Sequence, residues 1–249
     1  MPAYPVLNHS TVYFVGDTHF GDPDAPGEAD RRGRFLSLLE GICAGDALVL
    51  IGDIFDFYFE YRSVLPGRFL DILSGIRACS QRGVSVHFIG GNHDFWVGND
   101  FARLVGLTVH DPDVSFECQS RRVVCSHGDL VMPADRGYKV VKSVLRNRAV
   151  IAVTRWIHPD ILDGIARRVS YGSRKISRRD PADRAREVAD WAHRTLFARG
   201  NDIYVMGHVH YPVHDARDGH DFVIVGDWVD RTSWARLRDG KITLESSTD

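Results

Sequence analysis

Short apolar runs recur along the chain: TVYFVG at 11–16, ALVLIG at 47–52 and SVHFIG at 85–90. Each is rich in β-branched and aliphatic residues and ends in glycine, the pattern of a strand buried on both faces. Between them, EADRRGRFLSLLEGIC and the stretch from Leu65 to Arg82 place apolar residues at helical spacing. This alternation predicts an α/β fold. Further on, VSFEC, RRVVCS, DIYVMG, DFVIVG, SWARL and KITLE follow with fewer helices between them. That clustering predicts a mixed core of two sheets rather than one doubly wound parallel sheet.

The alternation is interrupted once. From Gly137 to Ile157 the chain reads as one helix with Tyr138, Val141, Leu145, Ala149, Ala152 and Trp156 as its apolar stripe, stopped by Pro159. Ile161, Leu162, Ile165, Ala166 and Val169 form a second, shorter apolar face, and another helix is expected from Asp180 to Arg199. Residues 131–180 are therefore expected to be a helical insertion within a single domain spanning 1–249.

Composition sharpens this picture. With 249 residues, 44% hydrophobic and 26% charged, the chain can bury an ordinary core. Its net charge of -2 conceals an asymmetry: residues 131–180 hold twelve Lys or Arg against four Asp, a local +8, and the remainder carries -10. The insertion is built for anions. Two readings of it compete, a hairpin covering the core with solvated arginines, or a lid with an apolar chamber whose cations grip phosphate. Val140, Val144, Val150, Ile151 and Ile157 add more apolar surface than one buried face requires, which favours the lid. Cys43, Cys79, Cys118 and Cys125 lack metal-finger or CxxC spacing and read as reduced thiols. No apolar run approaches the roughly 20 residues of a membrane span, and MPAYPVLNHSTVYFV lacks a basic start and cleavage site, so a cytoplasmic location is expected.

The chemistry sits behind the strands. TVYFVG leads to Asp17 and His19, ALVLIG to Asp53 and Asp56, SVHFIG to Asn92, His93 and Asp94, RVVCS to His127, and IYVMG to His208 and His210. Carboxyl ends of strands form the ligand crevice of α/β folds, so these deliveries point to one convergent site. Oxygen and imidazole donors without thiolate suit two divalent ions sharing a carboxylate, a device for attack on phosphorus. A Ser126 or Cys125 nucleophile is disfavoured because neither lies in a GxSxG turn.

In this order, DTH, GDIFD, GNHD, SHGD and GHVH resemble the calcineurin-like metallophosphoesterases over essentially the whole chain. The resemblance implies a two-sheet αββα sandwich with a helical lid. It also implies that Asp17, His19 and His210 bind one ion and Asn92, His127 and His208 the other, with Asp53 bridging. His93 would face the scissile phosphate, oriented by Asp94, with Asp56 in support.

GDIFDFYFEYRSVLP, GNHDFW, HGD followed by DRGYK, RWIHPDI, SRK and VGDWV look like the branch that hydrolyses UDP-2,3-diacylglucosamine to 2,3-diacylglucosamine 1-phosphate and UMP in lipid A synthesis. The best-known members carry Arg where this chain has His93, so it follows the GNHD variant. That branch implies manganese, a lipid-linked nucleotide-sugar substrate and peripheral placement on the cytoplasmic face of the inner membrane. Asn92, His93, Tyr138, Lys139, Trp156, Arg174 and Lys175 are expected to contact the substrate. A soluble phosphatase or nucleotidase would keep the donors without needing the insertion. A non-catalytic scaffold would be expected to have lost some of them. A nuclease would want basic charge spread over an extended face, so no nucleic acid is expected.

Overall fold

The computed structural model describes residues 5–21, 26–110, 113–129, 131, 143–174 and 180–247. Two sheets stack face to face. The first has the order β11-β10-β1-β2-β3-β4, with β1 Thr11–Val15, β2 Ala47–Leu50, β3 Ser85–Ile89, β4 Thr108–His110, β10 Ser233–Arg238 and β11 Lys241–Ser246. The second runs β5-β6-β7-β9-β8, with β5 Asp113–Cys118, β6 Arg121–Ser126, β7 Ile203–Met206, β8 Val213–Arg217 and β9 His220–Ile224. β1 to β4 are parallel, as are β6, β7 and β9, and antiparallel strands close every flank except the β4 edge.

Strand periodicity sorts the side chains into layers. In β1 and β2, Val12, Phe14, Ala47 and Val49 enter the core between the sheets, where they join Val123, Cys125, Val205 and Val223. The alternate residues Val15, Leu48 and Leu50 face outward onto α1 Glu28–Gly41 and α2 Leu70–Gln81 through Phe35, Leu39, Ile72 and Ile76. On the other side, Tyr204, Met206, Phe222 and Ile224 pack against α6 Pro181–Thr195 through Ala185, Val188 and Ala192. Central strands covered on both faces must be apolar throughout, which is why they read as continuous runs. The result is the expected αββα sandwich.

Several expectations shift. The helix expected from Leu65 begins at Leu70, after a 3₁₀ turn at Gly67–Phe69. The single helix expected over 137–157 is interrupted: among the described residues, 143–145 are helical, Asn147 is extended, and α4 runs Arg148–Thr154. Asn147 accepts a hydrogen bond from the Ala149 amide, so a local cap overrides the continuous apolar stripe. Pro159 does not end a helix. It opens α5, Pro159–Arg174, where its missing N–H costs nothing. α3 Asn99–Val105, β4 and β8 are short elements that the apolar pattern did not announce. Cys79, Cys118 and Cys125 are buried and Cys43 exposed, all as free thiols. No helix among the described residues is long and apolar enough to cross a membrane.

Candidate active site

Five loops leave β1, β2, β3, β6 and β7 on one edge of the sandwich, and their side chains meet there. Asp17, His19 and His210 bring one donor atom each within 4.8 Å of one another, as do Asp53, His127 and His208, and also His19, Asp53 and His93. His210 Nε2 lies 3.1 Å from Asp17 Oδ1 and 3.2 Å from His19 Nε2. His127 Nε2 lies 3.3 Å from Asp53 Oδ2 and 3.0 Å from Asn92 Oδ1. Asp53 Oδ2 also lies 3.9 Å from both His19 Nε2 and His93 Nε2, so this carboxylate stands between the two groups.

The backbone is bent to achieve this. Asp17, His19, Asp53, His208 and His210 all adopt positive φ, between 47° and 68°. Left-handed conformations are unfavourable for side chains with a Cβ, and their concentration at one place marks a functional constraint. Backbone bonds hold the strain: the Asp17 amide donates to the Gly52 carbonyl at 3.0 Å and the His19 amide to Asp53 at 2.9 Å. Close approach also demands glycine at two points. A Cβ on Gly91 would sit 2.1 Å from Asp53 Oδ1, and one on Gly207 2.2 Å from Asp17 Oδ2.

Hydrogen bonds orient the rings. His127 Nδ1 donates to the Ile51 carbonyl at 2.9 Å, and His93 Nδ1 to the Asp56 carbonyl at 2.7 Å. Each ring is thereby left with Nε2 facing the cluster. Asp94, expected to orient His93, does something else: its carboxylate accepts from the amides of Gly91, Asp53 and Ile54 at 2.8–3.1 Å. It ties the β2 loop to the β3 loop, and the Asp56 backbone orients the His93 ring. Asp56 Oδ1 lies 3.5 Å from His19 Nδ1.

Electrostatics show what the cluster attracts. Burial disfavours a charged His127, yet the Asp53 carboxylate, with Asp17 and Asp129, pushes it up to about 10. His208, half-buried and facing His127, is pushed down to about 4 by desolvation and by the His127 charge. Burial pushes the Asp94 carboxyl up, as does the Asp53 charge, to about 6, against the pull of its amide donors. A carboxylate field strong enough to hold a proton on buried His127 suits a divalent cation. Buried Asp17 Oδ1 and His19 Nδ1 lack an aligned hydrogen bond, and the donors are imidazole nitrogen and carboxylate or amide oxygen. The residues present therefore fit divalent metal.

The other expected residues fall elsewhere. Trp156, in the turn after α4, is 91% exposed and does not join the cluster. Tyr138, Lys139 and Lys175 lie outside the described residues, as does the side chain of Arg174. The carbonyls of Ile51 and Asp56 have no counterpart in the sequence pattern, because a backbone acceptor leaves no mark in residue type.

Residues 10–212 match the family of calcineurin-like phosphoesterases, and the chain belongs to it. It is a metal-dependent hydrolase, and divalent metal is the family's chemistry. Among curated relatives it is similar to a UDP-2,3-diacylglucosamine hydrolase of Porphyromonas gingivalis, 29% identical over 96% of this chain and 98% of that one. It is likewise similar to a UDP-2,3-diacylglucosamine hydrolase of Aeromonas hydrophila, 30% identical over 94% of this chain and 98% of that one. Among solved structures it resembles an archaeal phosphodiesterase with a TM-score of 0.47 at 12% identity, covering 95% of this chain and 99% of that one.

Proposed function

We propose that the protein hydrolyses the diphosphate of UDP-2,3-diacylglucosamine, releasing UMP and 2,3-diacylglucosamine 1-phosphate. The observation that carries a two-ion reading is the position of Asp53 Oδ2 between the two donor groups. Asp17, His19 and His210 would hold one ion and Asn92, His127 and His208 the other, with Asp53 common to both. When bound, the ions supply Lewis acidity at phosphorus and activate water. The chain's own groups do the rest. Asp94 and the backbone bonds between loops keep the donors apart at fixed spacing. His93, its Nδ1 committed to the Asp56 carbonyl, presents Nε2 to the substrate, where a protonated ring stabilises charge or supplies the leaving group's proton.

Substrate choice rests on different support. Relatives of nearly the same length as this chain carry the name of that hydrolase. Residues 131–180 supply both apolar surface and a local +8, as a substrate with acyl chains and a diphosphate requires. We read this stretch as an insertion acting as a lid. Val153, Trp156, Ile161 and Ile165 are solvent-exposed on it, which supports peripheral contact with an anionic membrane surface. Manganese suits the oxygen and imidazole set. The test is metal-free purification, add-back of manganese and mass spectrometry of products from UDP-2,3-diacylglucosamine. Release of UMP is expected with manganese and none without, whereas turnover of small phosphate esters alone would favour a soluble phosphatase.

A further inference from the structure

We infer that Arg146 is a docking cation for the diphosphate of the substrate, held in readiness on the face of Phe95. The identity of the substrate rests on the proposed function; the chemistry rests on geometry. Arg146 immediately precedes the Asn147 cap of α4, and the Asn147 amide bonds the Val144 carbonyl at 3.0 Å, so the backbone on either side is pinned. Trp96 Nε1 donates to the Leu145 carbonyl at 3.0 Å. The Arg146 guanidinium lies over the Phe95 ring, 5.2 Å from its centroid. Phe95 and Trp96, whose ring centroids are 4.1 Å apart, directly follow His93 and Asp94. The guanidinium therefore stands beside the loop that carries His93.

Arg146 differs from the paired arginines around it: Arg68 pairs with Asp163, and Arg32 with Glu28 and Asp71. Arg146 has no ion pair among the described residues, and its buried Nε has no hydrogen-bond partner. A guanidinium held over a ring keeps its charge. With Nε buried, the two terminal Nη groups are the donors left to meet phosphate oxygens in paired, charge-assisted bonds. The two divalent ions proposed for the donor cluster would meet oxygens of one phosphate, and Arg146, beside the loop of His93, offers a fixed cation for the remaining oxygens of the diphosphate, where Phe95 can hold it without neutralising it.

The experiment is calorimetric titration of UDP into the manganese-loaded full-length chain. Arg146→Ala should weaken UDP about 10- to 100-fold, the range of a charge-assisted contact to phosphate. Arg146→Lys should recover part of this, since an ammonium keeps the charge but not the planar fork. Phe95→Leu should weaken UDP by about threefold alone and by nothing further in the Arg146→Ala background, because both act through one contact. Arg103→Ala, on α3 and paired with Asp100, should leave the affinity unchanged. UDP affinity equal to wild type in Arg146→Ala overturns the inference, as does a wild-type protein that does not bind UDP. Sedimentation with phosphatidylglycerol vesicles separates the other source of phosphate: if Arg146→Ala abolishes vesicle binding and spares UDP, the cation serves lipid headgroups and the inference falls. Product analysis stays independent. A wild-type protein that releases no UMP from UDP-2,3-diacylglucosamine removes the proposed substrate, while the UDP titration still decides the role of Arg146.

Discussion

The loops behind β1, β2, β3, β6 and β7 and the helical stretch 143–174 are attached to the protein in opposite ways. The loops are bound to one another through main chain: Asp17 to Gly52 at 3.0 Å, His19 to Asp53 at 2.9 Å, Gly207 to His127 at 3.2 Å, with the Asp94 carboxylate bridging two of them. The helical stretch meets the sandwich through side chains, among them Tyr61 Oη to the Ile157 carbonyl at 3.0 Å, Trp96 Nε1 to the Leu145 carbonyl at 3.0 Å, and the ion pair of Arg68 with Asp163. Main-chain bonds cannot be altered without moving a strand, so the donor spacing is preorganised. Side-chain contacts worth about 1 kcal/mol each can be exchanged or opened. The metal-donor cluster is thus built into the frame, and the helical stretch is hung on it by exchangeable contacts.

Removing Asp53 tests the frame most severely. Asp53→Ala should strip both metal equivalents together and lower hydrolysis of any phosphate ester by about 10⁴-fold or more, as expected when groups acting as a unit are broken. Elemental analysis showing near-full occupancy in the variant would remove Asp53 from its shared position. His93→Ala comes next. It should keep both metal equivalents yet lose about 10²- to 10⁴-fold in rate on every substrate. Loss of one metal equivalent instead would make His93 a ligand, as its 3.9 Å separation from Asp53 Oδ2 allows.

The same contrast explains what is readable in the sequence. Asp17, His19, Asp53, His127, His208 and His210 are legible because a polar donor directly behind an apolar strand has few other reasons to be there. The sandwich is legible because strands buried on both faces must be apolar throughout. The positive φ of those donors is not, since it follows from cross-loop bonds that no single segment encodes. The role of Asp94 is hidden for a related reason: a carboxylate beside a histidine in sequence need not touch it in space, and the amides of a neighbouring loop claim it. In the helical stretch, Pro159 and Asn147 each carry two meanings. Proline stops one helix or starts another, and asparagine can sit within a helix or cap one, as Asn147 does through the Ala149 amide, and residue type alone does not choose between them. β8, VHDAR, is half-exposed and mostly polar, so burial leaves little trace in its sequence.

The stability of the frame can be probed without touching the site. His87 on β3 is mostly buried, with Nδ1 2.9 Å from His110 Nε2 on β4. Burial pushes its pKa down to about 4, reinforced by the charges of His110 and His9. An unfolded histidine titrates at about 6.5. Between these values the unfolded chain binds a proton that folded His87 does not. Stability should be fully present above about pH 6.5 and fall as the pH drops towards about 4, by at most about 3 kcal/mol from this group. His87→Leu should flatten the melting temperature over that window. A variant curve parallel to wild type would remove His87 as the cause.

The smallest expected effect bears most directly on the contrast between frame and helical stretch. Arg68 and Asp163 join the 3₁₀ turn before α2 to α5, and both are partly exposed, so their pair contributes about 1 kcal/mol. The Tyr61 bond to Ile157 contributes about as much. Replacing Arg68 by Ala and Tyr61 by Phe together should loosen residues 143–174 by about 2 kcal/mol. If these residues grip the acylated nucleotide-sugar, its turnover should fall by about tenfold, chiefly through a higher KM, because the stretch binds substrate and does not stabilise the transition state. Hydrolysis of a small aryl phosphate, which needs only the frame, should hold within about twofold. Exchanging the charges, Arg68→Asp with Asp163→Arg, should restore much of the loss from Arg68→Ala alone, since the pair is defined by its attraction and not by which partner carries the cation. Equal losses on both substrates would mean that the stretch supports the frame itself, and the division between fixed chemistry and adjustable selectivity would not hold.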